Sequence, residues 1–527
     1  MKVLVADKIS DSGIAKMREA GLEVDVKTGL SEDELVAIIG AYDALVVRSA
    51  TKATRRIIEA ADNLKIIGRA GVGVDNVDVE AATERGVVVC NAPTSNIVSA
   101  AEHTIALLLA QARNIPQANA SMHAHKWERS KFTGTEVLDK TLAVVGLGRI
   151  GTLVAERARG LGMKVLGFDP YVSEERAAQL GIEIVRSLDE LLPRADFITV
   201  HLPKTKETIG MFGPAEFAKM KDGVRIVNTA RGGIYQQDAL VEALKSGKVA
   251  SAAIDVFEVE PCTESPLHGL ENVILTPHLG ASTDEAQDRA GDQIAEYVIA
   301  GLSGQMVPTA VNIAPVPPEV MEAVGPYIPL AEKMGAAVAQ IASGGVESLD
   351  VLTVGQLADV DTRILKTAVL KGMLGHISAE PVNFVNADYY AQQRGLHVTE
   401  TKRPETHDYT NLLVVRAATA KEPVEIAAAL IGKNDEPRLV SLFGYDLDMA
   451  PGRYMAFFRY PDRPGMIGKV GTILGDRGIN IASMQVGRTA EGGTALMGLV
   501  VDSPITPELL AEIKTAAGMD DAWSIEL

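Results

Sequence analysis

The sequence predicts an α/β protein built on doubly wound parallel sheets, followed by an α+β region and a small βαββαβ unit. Two observations carry this. Through residues 1–310, short apolar runs rich in β-branched residues alternate with segments of helical spacing, the pattern of parallel strands covered on both faces. From Arg453 the order changes to strand–helix–strand–strand–helix–strand, a ferredoxin-like unit. A chain of 527 residues exceeds the ~250–300 that one core supports, so three or four domains are expected.

KVLVA from Lys2 reads as a strand, and Ile14 to Ala20 has helical spacing. DALVVRS from Asp43 and LKIIGRAG from Leu64 are strands on either side of a helix through Ile57 and Ile58. A long Ala/Leu helix runs from about Ser99 to Arg113. A second alternating unit opens at Thr141 with TLAVVGLGRIG. It continues through KVLGFD (Lys164), DFITVHLP (Asp196), VRIVNTARGG (Val224), ASAAIDVFEVEP (Ala250) and NVILTPHLG (Asn272). A helix from about Thr283 to Ala300 ends at Gly301, and APVPPEV from Ala314 reads as a linker. Residues 315–450 have a weaker pattern. In the final unit, RYMAFFRY, INIASMQVG, TALMGLVVD and WSIEL are strands, with helices from Ile467 to Leu474 and through PELLAEIKTAAG.

Composition is globular, with 47% hydrophobic and 23% charged residues. A net charge of −18 argues against nucleic acid or an anionic membrane as partner. It also means that an anionic substrate must be drawn in by a local cluster of arginines. The only cysteines, Cys90 and Cys262, exclude a disulfide framework and a cysteine-rich zinc site; no metal is expected. No segment reaches ~18 uninterrupted apolar residues, and MKVLVADKIS lacks the apolar stretch of a secretory signal, so a cytoplasmic protein is expected.

Gly146-Leu147-Gly148-Arg149-Ile150-Gly151 fits G-x-G-x-x-G between a strand and a helix. The glycines permit a tight turn and close approach of a pyrophosphate to the helix N-terminus. The next strand ends in Asp169, near the expected spacing of roughly 20 residues. A carboxylate there binds ribose hydroxyls and repels a 2′-phosphate, so NAD is expected rather than NADP, on a Rossmann-type sheet. Arg231 (NTARGG), Glu260 (DVFEVEP) and His278 (TPHLGAST) each follow a separate strand of that sheet. Removing hydride from C2 of a hydroxy acid needs a base titrating near neutrality, a carboxylate to orient it and a guanidinium to clamp the substrate carboxylate. Singly, each residue has an ordinary alternative as helix cap, solvated acid or surface ion pair; three strand ends on one crevice favour the catalytic set.

GLGRIG, NTARGGI, DVFEVEP and PHLGAST in this order resemble the D-isomer-specific 2-hydroxyacid dehydrogenase family over roughly the first 310 residues. The resemblance implies that Arg231 binds carboxylate and carbonyl, that Glu260 supports His278, and that His278 is the acid/base. It further implies NAD contacts from Gly146, Gly148, Arg149, Ile150, Gly151, Asp169, Thr205, Thr229, Ala230, Asp255, Gly280 and Ala281. The implied layout is a discontinuous, flavodoxin-like substrate domain of residues 1–98 and 283–310 around an NAD domain of 99–282. VVRSATK, GRAGVGVDNVD and NAPTSNIVSAAEH resemble the branch of the family acting on 3-phospho-D-glycerate, the first committed step of L-serine synthesis. There Arg48 and Arg69 would help hold phosphate and the backbone of Val72 and Gly73 the carboxylate, with Ser49 also at the substrate and Asn96 nearby. Arg129 of HKWERSKFTG would reach phosphate across the interface of a homodimer or homotetramer. One departure is IYQQDAL, where family members usually carry an acidic or apolar residue in place of Gln236 or Gln237.

Residues 315–450, with NFVNA at Asn383, resemble the intervening domain of long members of that branch. YPDRPG and GDRGINIASM, within 453–527, resemble the ACT-type amino-acid-binding domain. That resemblance implies L-serine as effector, held by Tyr460, Asp462 and Gly465, with Asn480 and Ile481 from a neighbouring copy. Two rivals remain open at this stage. One is a reductase of glyoxylate, hydroxypyruvate or 2-oxoglutarate, which does not need the set Arg48, Arg69 and Arg129. The other is an NAD(H)-sensing binding protein of the same fold.

Overall fold

The computed structural model of the chain describes residues 1–343, 345–378, 380–405 and 408–527. The first sheet comprises β1 (Lys2–Val5), β2 (Glu23–Val26), β3 (Ala44–Val47), β4 (Ile66–Arg69) and β5 (Val88–Asn91). They are parallel, in the order β2-β1-β3-β4-β5, the flavodoxin-like arrangement. Its central strands are buried on both faces; Val3, Leu4, Val5 and Ala44 through Val47 have no exposed surface. The helix Asp284–Leu302 returns to this sheet, with Ala290, Ile294 and Val298 in its core beside Val3, Val46 and Ile66.

The second sheet comprises β6 (Thr141–Val145), β7 (Lys164–Phe168), β8 (Glu183–Ile184), β9 (Phe197–Val200), β10 (Val224–Asn228), β11 (Val249–Ile254) and β12 (Val273–Leu275). The parallel order is β12-β11-β10-β9-β6-β7-β8, a doubly wound sheet that reverses direction between β6 and β9. Ligands bind at such reversals, beyond the carboxyl ends of the strands. The Gly146 loop lies there. The helix Ile97–Ala112 joins the two sheets and packs against β10, β11 and β12.

The third sheet comprises β13 (Val346–Gly355), β14 (His397–Arg403), β15 (Asn411–Thr419), β16 (Val424–Ile431), β17 (Glu436–Leu442) and β18 (Tyr445–Met449). It is antiparallel apart from the β13–β14 pair, and the helices Ile328–Ile341 and Arg363–Ile377 share its main core. The fourth sheet, β19 (Tyr454–Pro461), β20 (Ile481–Arg488), β21 (Thr494–Val501) and β22 (Asp521–Glu526), has the ferredoxin-like order β20-β21-β19-β22. Its Met455, Phe457, Leu496 and Ile525 belong to the core of the third sheet. The last unit therefore cannot be cut away without exposing its neighbour.

Three features depart from the reading of the sequence. β2 and the helix Glu32–Ile39 were not anticipated. β2 is the edge strand EVDV, with two acids and one buried residue, too short and polar to signal itself. The helix is announced by a capping box, Ser31 with Glu34, in a stretch of low apolar periodicity. The proline-rich linker is shorter than APVPPEV suggests: Pro318 opens the helix Pro318–Val324, where a proline lacks only an N–H that would be unpaired anyway. Among the described residues no helix is long and apolar enough to cross a membrane, and no group of three or more His, Cys, Asp or Glu residues is placed to hold a metal.

Candidate active site

The glycine loop shows why each of its glycines is there. Gly146 has φ +94°, and a Cβ on it would lie 2.7 Å from the His201 carbonyl oxygen. A Cβ on Gly151 would lie 2.0 Å from the Gly146 carbonyl oxygen. A Cβ on Gly148 would meet no protein atom within 4 Å. Gly148, the second glycine of the motif, caps the helix Arg149–Gly160 and leaves the space before its N-terminus open to a ligand. Arg149 opens that helix with an exposed side chain, and Ile150 packs partly into the core below it. Asp169 Oδ2 accepts the Leu147 N–H at 2.8 Å and Oδ1 accepts the Tyr171 N–H at 2.9 Å, so the acid is fixed to the glycine loop. These residues fit a dinucleotide.

Other expected cofactor residues lie in strand-end loops of the same sheet. Thr205 is exposed, its N–H donating to the Thr208 hydroxyl. The Thr229 hydroxyl is buried against that of Thr104 at 2.7 Å, and the Ala230 backbone is held by Asn228 and Arg231. Asp255 is fully buried and lies beneath the His278 loop, receiving the N–H groups of Leu279 and Gly280. Ala281 follows, half-buried.

His278 and Glu260 form a pair. His278 Nδ1 is 2.6 Å from Glu260 Oε2, and Glu260 Oε1 accepts the Phe257 N–H at 2.9 Å. Burial works to raise the Glu260 carboxyl, but the His278 hydrogen bond and the Phe257 N–H outweigh it and hold it below the ordinary 4.5. The pairing engages Nδ1 and leaves Nε2 for a substrate proton. Because the Glu260 value is depressed, the support it gives is fully present above its ordinary value and is lost as pH falls through the lowered one. Glu260→Gln is accordingly expected to move the pH–rate profile for oxidation toward lower pH, since an imidazolium without its counter-charge gives up its proton more readily. A pH–rate series checks this, and an unchanged profile would contradict it.

Arg231 reaches the first sheet. Its Nε is 3.8 Å from Asp75 Oδ2, and a Cβ on Gly73 would lie 2.6 Å from its Nη2. Asn228 shapes the loop, donating to the Arg231 carbonyl and accepting the Ala230 N–H. Arg69 ends β4 in a tight pocket. A Cβ on Gly71 would fall 1.6 Å from its Nη1, so glycine makes room for the guanidinium. Arg69 Nε is buried without a hydrogen-bond partner. Burial pushes this guanidinium down to about 10, with the charges of Arg231 and Arg48 adding to the effect and Asp75 and Asp7 opposing it. Three arginines therefore share one field. Arg48 has its N–H fixed by buried Asp7 at 2.6 Å and its carbonyl by Asn76, and its guanidinium has no partner among the described residues. Ser49 is exposed beside it, and Val72 has its carbonyl held by Asn91. Asn96 precedes the helix Ile97–Ala112 and presents a buried Oδ1 without a partner.

Arg129 is not placed in this cluster by contacts within one chain. It lies in the exposed turn Arg129–Phe132, which packs on the helix Ile115–His123. In the C-terminal unit, Asp462 receives Arg488 and the Gly492 N–H, each at 3.4 Å. Gly465 has φ +89° and caps the helix Met466–Asp476. Asn480 donates to Asp502 at 2.8 Å, and Ile481 starts the edge strand β20. Tyr460 is 2% exposed and packs in the core of the unit, close to Asp462 in sequence. Gln236 and Gln237 are structural, the first donating to Gly210 and the second accepting from Ser265. Sequence reasoning missed Asp7, Asn76, Asn228 and His103. The signal for Asp7 was an acid directly after a buried strand; the others carried none.

The fold and site define an NAD-dependent 2-hydroxyacid dehydrogenase. The model of the D-isomer specific 2-hydroxyacid dehydrogenase NAD-binding domain matches residues 105–280, that of the D-3-phosphoglycerate dehydrogenase intervening domain residues 323–443, and the ACT domain residues 454–518. The chain is 47% identical to D-3-phosphoglycerate dehydrogenases of Synechocystis and of Archaeoglobus fulgidus, covering 100% of this chain and 95% and 100% of theirs. It is 45% identical to that of Mycobacterium tuberculosis, over 100% of this chain and 98% of the relative. Among solved structures, D-lactate dehydrogenase from Escherichia coli aligns with a TM-score of 0.53 at 29% identity, over 59% of this chain and 100% of its own. NAD-dependent formate dehydrogenase from Staphylococcus aureus in complex with NAD aligns with a TM-score of 0.52 at 31% identity, over 58% and 97%. The chain belongs to the D-3-phosphoglycerate dehydrogenase family.

Proposed function

We propose that this chain oxidises 3-phospho-D-glycerate to 3-phosphooxypyruvate with NAD, the first committed step of L-serine synthesis, in the cleft between the first two sheets. The observation that carries the substrate is Arg69: a buried guanidinium with an unpartnered Nε, beside Arg48 and Arg231, in a protein of net charge −18. An unphosphorylated hydroxy acid does not need the extra pair of arginines. Arg231 and the backbone of Val72 and Gly73 would hold the carboxylate, Arg48, Ser49 and Arg69 the phosphate, and Asn96 would stand beside them. NAD, when bound, supplies the hydride acceptor at C4 of the nicotinamide. His278 Nε2 takes the C2 hydroxyl proton as hydride leaves C2, and Glu260 stabilises the imidazolium formed. Domain limits of 1–98 with 283–310, 99–282, 315–450 and 453–527 fit this division of labour. The reaction is tested with 3-phospho-D-glycerate deuterated at C2. Deuterated NADH and a keto acid trapped by hydrazine are expected; unlabelled NADH would contradict the proposal.

Asp169→Ala is expected to weaken NAD and to lower the NAD/NADP preference at least tenfold, because the ribose loses an acceptor and the 2′-phosphate a repulsive charge. Dissociation constants for both nucleotides check this. An unchanged ratio would remove Asp169 from the ribose site.

A homodimer or homotetramer fits Ile115, Met122 and Trp127, apolar side chains left exposed along the arm that carries Arg129. In such an assembly Arg129 would enter the partner's site. A cytoplasmic location accords with the biosynthetic reading. We further propose L-serine as the effector, with its ammonium on Asp462, its carboxylate at the helix start by Gly465, and Asn480 and Ile481 of a neighbouring copy closing the site. Because the third and fourth sheets share a core, the test is a point variant. Asp462→Ala should abolish serine inhibition, a coupling of about 1–3 kcal/mol, and leave kcat unchanged. Inhibition at the wild-type serine concentration would place the site elsewhere.

A further inference from the structure

Behind the catalytic pair stands a second imidazole–carboxylate pair. Asp255 directly follows β11 and is fully buried. Its carbonyl accepts the His278 N–H at 2.9 Å. Its Oδ1 accepts the Leu279 N–H at 2.7 Å and the Thr276 hydroxyl at 2.6 Å, and its Oδ2 accepts the Gly280 N–H at 3.0 Å. Three consecutive N–H groups, those of residues 278 to 280, thus converge on one residue. That convergence accompanies a left-handed His278, φ +55°, a conformation few non-glycine residues adopt. The backbone that carries the acid/base is held by Asp255.

A buried carboxylate is stable as an anion only when its charge is answered. His103, from the helix Ile97–Ala112, places Nε2 at 3.2 Å from Asp255 Oδ1 and 3.4 Å from Thr276 Oγ1. A carboxylate has no hydrogen to give, so this nitrogen carries one and donates it. Burial works to raise the Asp255 carboxyl, yet the hydrogen bonds from His103, Thr276 and Leu279 hold it below the ordinary carboxylate value. The same helix grips the loop a second time: the Ser99 hydroxyl donates to the Gly280 carbonyl at 2.9 Å.

We propose that His103 is a positioning residue, fixing Asp255 and through it the backbone of His278 so that the imidazole keeps its reacting angle. This rests on His278 as the acid/base. Losing Nε2 would leave Oδ1 with the Leu279 N–H and the Thr276 hydroxyl but without the imidazole that answers its charge, loosening the left-handed turn and displacing the imidazole of His278, and a shift of about 1 Å at a reacting group costs roughly 10²-fold in rate. Asp255 is also an expected cofactor residue, so an effect carried to the cofactor would appear as lost NAD affinity, whereas one carried to His278 appears as lost kcat.

The experiment compares full-length His103→Ala, His103→Gln and His278→Ala for kcat, substrate KM and NAD dissociation constant. His103→Ala should lose about 10–100-fold in kcat, with KM and NAD affinity within about threefold. His103→Gln, whose amide N–H reaches nearly as far as Nε2, should recover most of the loss. Should the alanine variant not fold, His103→Asn, whose donor stops short of Asp255, takes its place. Wild-type kcat in the alanine or asparagine variant, failure of glutamine to rescue, or NAD affinity falling in step with kcat would each overturn the proposal. An active His278→Ala would instead overturn the acid/base reading itself; an inactive one beside a normal His103→Ala removes only the positioning role.

Discussion

Replacing His278 with alanine is expected to cost ~10²–10⁴ in kcat while NAD affinity stays within a few-fold of wild type. The geometry supports the proposed role: Nδ1 of His278 is engaged by Glu260 at 2.6 Å, and Nε2 has no partner among the described residues. Most of the proposed nucleotide residues lie on other loops, at Gly146 to Gly151 and Asp169, and Gly280 beside His278 keeps its backbone on Asp255, so the binding site is expected to survive the change. Steady-state turnover and NAD titration check the two halves separately. Near-normal turnover would remove the acid/base from the mechanism. A large loss of NAD affinity would show instead that the TPHLG loop is a cofactor element first.

The second large effect is expected at Arg69, and it has two signs. Arg69→Met should raise KM for 3-phospho-D-glycerate about 10–100-fold, the worth of a charge-assisted hydrogen bond or two, and leave KM for D-glycerate within about threefold. The same variant should melt at a higher temperature than the wild type when no ligand is present. A guanidinium pushed down to about 10 by burial and by the charges of Arg231 and Arg48 is held charged at neutral pH against its surroundings. Relative to the unfolded chain that costs on the order of 2–3 kcal/mol, removed with the charge. A guanidinium kept at such a cost fits the proposed phosphate site. Calorimetry and kinetics on one preparation settle the point. Lower melting temperature together with equal KM changes for both substrates would make Arg69 a structural ion-pair residue.

Much of the site is legible in the sequence because α/β sheets place chemistry at strand ends. An apolar run followed by a polar, glycine-containing tip locates Gly146, Arg231, Glu260 and His278 without a structure, and the spacing to Asp169 adds the nucleotide acid. The arginines proposed for the substrate are less legible: Arg48 and Arg69 also end strands, and only the resemblance separates them from ordinary ion pairs. Their shared field is a tertiary fact. His103 is invisible in the sequence. It stands in an Ala/Leu helix 173 residues from Thr276, and its meaning comes from the packing of that helix under the His278 loop. The third sheet is hard to read for a different reason. β15 and β16 are apolar enough, but β14 is nearly all exposed, and no glycine or proline pattern marks the ends of the group as clearly as in the first two sheets. The fused core of the third and fourth sheets is likewise set by contacts far apart in the chain, through Met455, Phe457, Leu496 and Ile525.

The central claim is that this acidic protein selects a phosphorylated hydroxy acid through a cluster of half-buried arginines. The ratio of kcat/KM for 3-phospho-D-glycerate to that for D-glycerate, followed by NADH formation at fixed NAD, tests it most directly. Two or more charge-assisted hydrogen bonds to phosphate predict a ratio of at least ~10³ that collapses in the Arg48→Ala, Arg69→Ala double variant. A ratio near one in the wild type, or faster turnover of an unphosphorylated 2-hydroxy acid, would contradict it.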